Sequence, residues 1–135
     1  MNLQNNPTLC ISVAEKPGKF GITVHNAGYR ALGLNFVYKT FAIDDIKGAI
    51  IGVRSLGIRG CSVSMPFKEK VIPFLDRLDP LAKKIGAVNT VVNDNGRLIG
   101  YNTDVIAIEK SLKPLQIKND KDIIIFGAGG VSRAI

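Results

Sequence analysis

Long apolar runs, cysteine clusters, basic tracts and internal repeats are all missing from this 135-residue chain. No hydrophobic stretch approaches the roughly 20 residues that cross a bilayer, so no membrane segment is expected. The start, Met1-Asn2-Leu3-Gln4-Asn5-Asn6-Pro7, has no positive segment leading into an apolar one, which argues against a secretory leader. Cys10 and Cys61 lie far apart inside apolar runs, without C-x-x-C spacing or a Cys/His cluster. That pattern argues against a disulfide framework or a metal site, and for reduced, buried thiols in a cytoplasmic protein.

What is present is ordinary for a globular domain: 46% apolar residues and 21% charged ones. The length allows one domain of the commonest size with a single core. Eighteen Lys+Arg against eleven Asp+Glu give a net charge of +7. The basic residues are scattered, the densest groups being Lys68 with Lys70 and Lys83-Lys84. With no arginine-rich run and no aromatic–basic interleaving, nucleic acid is supported only by the overall charge. A diffuse positive potential suits a small acidic ligand better.

Apolar runs and helix-period runs alternate along the chain. Strands are expected at Thr8–Val13, Leu34–Phe41 and Ile58–Ser64, where branched and aromatic residues concentrate. Between them, Ile22–Leu32 reads as a helix stopped by Gly33, and Asp44 or Asp45 opens a helix that reaches Leu56 and stops at Gly57. Pro66 is placed to start a helix from Phe67 through Val71 to Leu75, and Asp79-Pro80 to start a short one closed by Gly86. Asn93-Asp94-Asn95-Gly96 between Ala87–Val92 and Arg97–Tyr101 signals a hairpin. Asp104 is a candidate cap for a helix through Val105, Ile108 and Leu112, broken at Pro114. The expected fold is α/β: a mostly parallel sheet with helices on both faces and an added hairpin.

The last segment reads differently. An apolar strand is expected at Asp122–Phe126, running into Gly127-Ala128-Gly129-Gly130-Val131-Ser132-Arg133. A strand, a glycine-rich turn and helix formers open a dinucleotide-binding unit, with a pyrophosphate at the helix N-terminus. Neither a second strand nor a ribose-binding acid follows. The expectation is therefore a first domain plus the strand-turn-helix of a truncated Rossmann domain.

Chemistry-bearing groups gather in three short strings. Gly60-Cys61-Ser62-Val63-Ser64-Met65-Pro66-Phe67-Lys68 puts hydroxyls at a strand end and a lysine in the next turn, where a helix dipole disfavours it. Ala87-Val88-Asn89-Thr90 and Gly100-Tyr101-Asn102-Thr103-Asp104 put amides, hydroxyls and a carboxylate at strand edges. Taken singly, Asn102 and Asp104 are caps, Asn89 a turn residue and Lys68 a solvated charge. Taken together they mark a cleft.

In order and spacing these strings, with Gly127-Ala128-Gly129-Gly130, resemble those of the shikimate dehydrogenases. The resemblance covers essentially the whole chain. It implies a substrate-binding domain over residues 1–104, a connecting helix and linker over 105–120, and the beginning of an NADP-binding domain over 121–135. It also implies Lys68 as catalytic lysine and Asp104 as its partner, both touching substrate, with Ser64 and Asn89 as substrate-hydroxyl contacts. Gly127, Ala128, Gly129, Gly130, Ser132 and Arg133 match the loop for NADP, or alternatively NAD. Two departures stand out. The Ser-x-Ser-Pro string of typical members, registered on His25-Asn26, is Lys19-Phe20-Gly21-Ile22, and the usual Asn-Val-Thr is Ser62-Val63-Ser64. The sequence is thus similar to the shikimate-dehydrogenase-like branch.

The implied reaction is reversible hydride transfer between NADP and a hydroxyl of shikimate, quinate or a similar cyclic polyol acid, with Lys68 moving the hydroxyl proton. Lys19 is a further candidate for holding the substrate carboxylate, and His25 is expected to pack in its helix. The alternative is a non-catalytic module that binds a small polyol acid, because the cofactor motif is incomplete.

Overall fold

The computed structural model describes residues 6–116, 122–129 and 131–132. Six strands form one mixed sheet in the order β2-β1-β3-β5-β6-β4. Strand β1 (Thr8–Ala14) lies between β2 (Phe36–Ala42) and β3 (Gly60–Val63), parallel to both. Strand β5 (Thr90–Asp94) runs antiparallel to β3 and forms a hairpin with β6 (Arg97–Tyr101). The two-residue β4 (Arg77–Leu78) adds to β6 in parallel. The α/β fold, mostly parallel with an added hairpin, is therefore as expected.

Helices α1 (Phe20–Ala31) and α2 (Ile46–Ser55) cover opposite faces. Ile46, Ile50 and Val53 of α2 pack into the core with Ile11, Val13, Cys61, Val63 and Val91, all from alternate strand positions. Helix α1 contributes no fully buried residue. It is tied to β2 instead by Asn26, whose Nδ2 donates to Tyr38 O at 3.0 Å and whose Oδ1 accepts from Tyr38 N at 2.8 Å. That amide satisfies the outer edge of the sheet, which would otherwise be free to pair with another chain. His25 stacks on Tyr38 with ring centroids 4.2 Å apart, a packing role as expected.

Left-handed glycines stop the helices where the sequence signals them, at Gly33 and Gly57 after α1 and α2 and at Gly86 after α3 (Pro80–Ile85). The hairpin turns at Asn95 and Gly96, both at positive φ, as a two-residue loop requires. Buried Asn93 locks that turn: its Oδ1 accepts from Gly96 N at 2.8 Å and its Nδ2 donates to Val53 O at 3.0 Å, near the end of α2.

Three expectations fail. No α-helix follows Pro66; residues 68–71 form turns and Ile72–Phe74 a single 3-10 turn. Pro73 has no N–H for a helical bond, while Val88 N captures the Lys68 carbonyl at 2.8 Å. Asp104 is not a cap: Thr103 occupies that position, and Asp104 begins α4 (Asp104–Leu112) with its carboxylate turned elsewhere. Finally, Asp122–Phe126 is not a strand. Ile124 and Phe126 are 76% and 94% exposed, because no described strand pairs with this run. Among the described residues no helix is long and apolar enough to cross a membrane, and no His/Cys/Asp/Glu cluster could hold a metal ion.

Candidate active site

The parallel and antiparallel registers align one residue from each of five strands. Thr40, Ser12, Ser62, Thr90 and Tyr101 sit opposite one another in a row across β2, β1, β3, β5 and β6. All five carry hydroxyls on the α1 side of the sheet, back to back with the apolar face. Ser12 and Thr40 share a hydrogen bond of 3.0 Å. One end of this face opens into a cavity of about 180 Å³ bounded by Ser12, Thr40, Ser64, Tyr38, Gly21 and Lys16, with no acidic side chain on its wall. Lys19 does not line it; its carbonyl accepts from Thr23 at the start of α1.

Lys68 and Asp104, thirty-six positions apart, meet just past the ends of β3 and β6. Three backbone bonds carry the lysine there: Ser64 N to Val13 O at 3.0 Å, Phe67 N to Ser64 O at 2.9 Å, and Val88 N to Lys68 O at 2.8 Å. Buried Phe67 and Val71 pin the same loop into the core. On the other side, Asn102 is 3% exposed; its Nδ2 donates to Ala87 O and its Oδ1 accepts from Asp104 N, each at 3.0 Å. The result is a Lys68 Nζ to Asp104 Oδ2 contact of 2.6 Å between side chains only 13% and 25% exposed. Charge-assisted bonds of this length, screened from water, are among the stronger ones a protein makes. The position also explains why the lysine tolerates a turn: Asp104 lies in the first turn of α4, where the helix dipole favours a carboxylate, and that carboxylate neutralises the ammonium.

Asn89 completes the cluster. Its Nδ2 donates to Asp104 Oδ1 at 2.8 Å and to Thr103 Oγ1 at 2.9 Å, and its Oδ1 accepts from Thr103 N at 3.0 Å. Lys68, Asp104 and Asn89 are thus brought together, whereas Ser64 lines the neighbouring cavity. The sequence reading noted the hydroxyls of Thr90 and Thr103 without giving them a role, and missed Ser12, Thr40 and Lys16. A readable signal existed for the hydroxyls: they recur at alternate positions in apolar runs, as in Tyr38-x-Thr40 and Ser62-x-Ser64.

Beside Lys68 a second cavity, about 270 Å³, is bounded by Met65, Pro66, Glu69, Gly129 and Val131. The glycine-rich turn therefore faces the lysine. Gly127 has φ +113, which a side chain would strain, and a Cβ at Gly127 or Gly129 would meet nothing within 4 Å. Ser132 Oγ donates to Gly129 O at 2.7 Å and closes the turn. An open turn of this kind, with no side chain at Gly127 or Gly129, fits the close approach of a pyrophosphate. Ala128 lies within it; Gly130 and Arg133 lie outside the described residues.

Comparison with known proteins agrees with this fold. Residues 20–91 match the model of the shikimate dehydrogenase substrate binding domain. A shikimate dehydrogenase-like protein of Haemophilus influenzae is 50% identical over 133 residues, covering 98% of this chain and 49% of that protein. A shikimate dehydrogenase (NADP(+)) of Halothermothrix orenii is 50% identical over 117 residues, or 83% of this chain and 40% of the relative. The crystal structure of shikimate 5-dehydrogenase from Listeria monocytogenes in complex with shikimate and NAD superposes with a TM-score of 0.82 at 36% identity, covering 99% of this chain and 48% of that one. The chain spans about half the length of these relatives, or less. With the matched segment taking in β2, β3, β4 and both covering helices, the chain belongs to the shikimate dehydrogenase substrate-binding domain family.

Proposed function

We propose that this chain serves an NADP-dependent oxidoreductase that interconverts a secondary alcohol and a ketone on a cyclic polyhydroxy acid of the shikimate or quinate type. The observation that carries the reading is the 2.6 Å Lys68–Asp104 pair, with Lys68 on the wall of the cavity that the glycine-rich turn also lines. In the oxidative direction the neutral amine of Lys68 takes the hydroxyl proton while the carbinol carbon gives up hydride; in the reductive direction the ammonium returns that proton to the ketone oxygen. Asp104 remains a carboxylate throughout and keeps the lysine aimed. NADP, when bound, supplies or receives the hydride, and Gly127, Ala128, Gly129 and Ser132 are the residues that would hold it.

The anionic end of the ligand belongs in the cavity beside Ser64. Lys16 offers the charge there, and Ser64, Tyr38 and one of the Ser12/Thr40 pair offer hydroxyl hydrogens. On this reading residues 1–104 are the substrate domain, 105–120 a connector and 121–135 the start of the nucleotide part.

The test is NADP+ reduction followed by absorbance with shikimate and with quinate, alongside calorimetry for both acids. Lys68→Ala is expected to lower turnover by about 10²–10⁴ while leaving acid binding within a few-fold. Unchanged turnover in that variant overturns the assignment. One observation favours a second reading: the run before the glycine turn is exposed and pairs with no described strand. A chain that binds the acid and never reduces NADP+ would be a binding module.

A further inference from the structure

Two cavities lie on the α1 side of the sheet, and one side chain belongs to both. The outer one, about 180 Å³, holds Lys16, Ser12, Thr40 and Ser64. The inner one, about 160 Å³, is bounded by Cys10, His25, Tyr29, Ser62 and Thr90. Tyr38 lines each of them. In register it stands opposite Cys10, and Thr40, the next residue on the same face, stands opposite Ser12. Alternate positions of a strand lie about 7 Å apart, a step that a phenol ring fills.

The ring is held firmly. Asn26 binds the Tyr38 backbone N–H and carbonyl, and His25 stacks on the ring at 4.2 Å between centroids. Its far end reaches the first turn of α1, where a Cβ on Gly21 would come within 3.4 Å of Cε1 and 3.7 Å of Oη. Gly21 and His25 are one helical turn apart, so α1 clasps the ring between them. Only 4% of Tyr38 is exposed. The compartments also differ in charge. The outer wall has the Lys16 ammonium, whereas the inner wall has neither lysine nor arginine. Burial, and after it a hydrogen bond with Cys10, pushes the Tyr29 phenol up to about 12 and keeps it uncharged at neutral pH.

We infer that Tyr38 is a specificity-determining residue: its ring closes the inner end of the ligand cavity, admitting a bare carboxylate and shutting out ligands extended beyond the carboxyl carbon. The inference rests on the outer cavity taking the acid end of the ligand. Calorimetry on the full chain with shikimate and with its neutral N-propylamide tests it. The wild type should favour shikimate by at least about tenfold, the scale on which a pocket wall discriminates by size. Tyr38→Leu, which removes the ring and keeps an apolar side chain, should narrow that preference by at least about tenfold, and Tyr38→Phe should retain it. An equal preference in wild type and Tyr38→Leu overturns the inference, as does an amide that binds the wild type as tightly as shikimate.

A second measurement needs no acid binding. In the isotopically labelled chain, phenol, which matches the deleted ring, should shift the backbone amides of Cys10 and Ser62 together with those of Ser12 and Thr40 in Tyr38→Leu, and never both groups in the wild type. If neither shikimate nor the amide binds, the preceding reading fails and the phenol spectra still decide: both groups shifting in the wild type, or fewer than both in Tyr38→Leu, sinks the partition. Should Tyr38→Leu fail to fold, the two wild-type measurements decide alone.

Discussion

The two faces of the sheet are built from the same strands and do opposite work. On the α2 side, Ile11, Val13, Cys61, Val63 and Val91 meet Ile50 and Val53 with almost no exposure. On the α1 side the sheet presents the row Thr40, Ser12, Ser62, Thr90 and Tyr101, the first two lining a cavity, and the covering helix buries nothing completely. Period-two alternation lets one sequence serve both ends: stability is concentrated on one face, and the other is free to hold polar groups that a core would penalise.

The thiols give the widest contrast between the faces. Burial, with a smaller contribution from Cys10, pushes the Cys61 thiol from 9.0 up to about 12. At pH 8 its thiolate share is then on the order of 10⁻⁴, so labelling should be about 10³-fold slower than in urea, whereas Cys10 on the cavity side should react readily. Because the folded thiol holds its proton more tightly, its contribution to stability is complete below about pH 9 and is lost as pH rises toward 12. Equal labelling of both cysteines in the folded chain would erase the distinction.

Next in size comes Ile50→Ala, which should cost about 2–5 kcal/mol in urea denaturation, since the side chain is 2% exposed. Gly100→Ala should cost about 1–3 kcal/mol. A Cβ there would approach Leu75 Cδ1 to 2.6 Å, Val88 Cγ2 to 2.8 Å and Leu78 Cδ2 to 2.9 Å, so three packed side chains must move. Ser12→Ala, on the other face, should cost no more than about 1 kcal/mol, because Thr40 can turn to water in its cavity. A Ser12→Ala penalty as large as that of Ile50→Ala would show that the hydroxyl face carries stability after all.

Much of this division could be read from the sequence. The helix stops at Gly33, Gly57 and Gly86 and the Asn95-Gly96 turn are local events, set by backbone conformations that few other residues adopt. Strand β4 was invisible because two residues carry no period, and its place depends on Asp76 and Leu98 coming together from distant positions. The helix expected after Pro66 and the strand expected at Asp122–Phe126 failed for non-local reasons too: one lost its carbonyl to Val88, and the other has no described neighbour to pair with. Lys68 and Asp104 were found through resemblance, since no spacing rule joins residues thirty-six apart. The partners of the Asn89 amide needed coordinates, because Thr103 and Asp104 reach it from a turn and a helix start more than a dozen positions away.

The smallest expected effect lies at the rim, where a second ion pair provides a control for the first. Arg54 Nη1 meets Asp76 Oδ2 at 2.8 Å, but the side chains are 40% and 38% exposed, far more than Lys68 and Asp104. Arg54, followed by the Leu98 N–H that reaches Oδ2 at 2.6 Å, holds the Asp76 carboxyl below its ordinary 3.8. A lowered carboxyl stabilises the fold above the unfolded value and loses that contribution as pH falls through the folded one. Asp76→Asn should therefore weaken the fold slightly at pH 7 and not at all in strong acid, with the difference shrinking further in salt because water screens an exposed pair. Urea midpoints of both chains across an acid series measure it. A loss that persists unchanged in acid would mean that Asp76 acts through the Leu98 strand contact rather than through its charge.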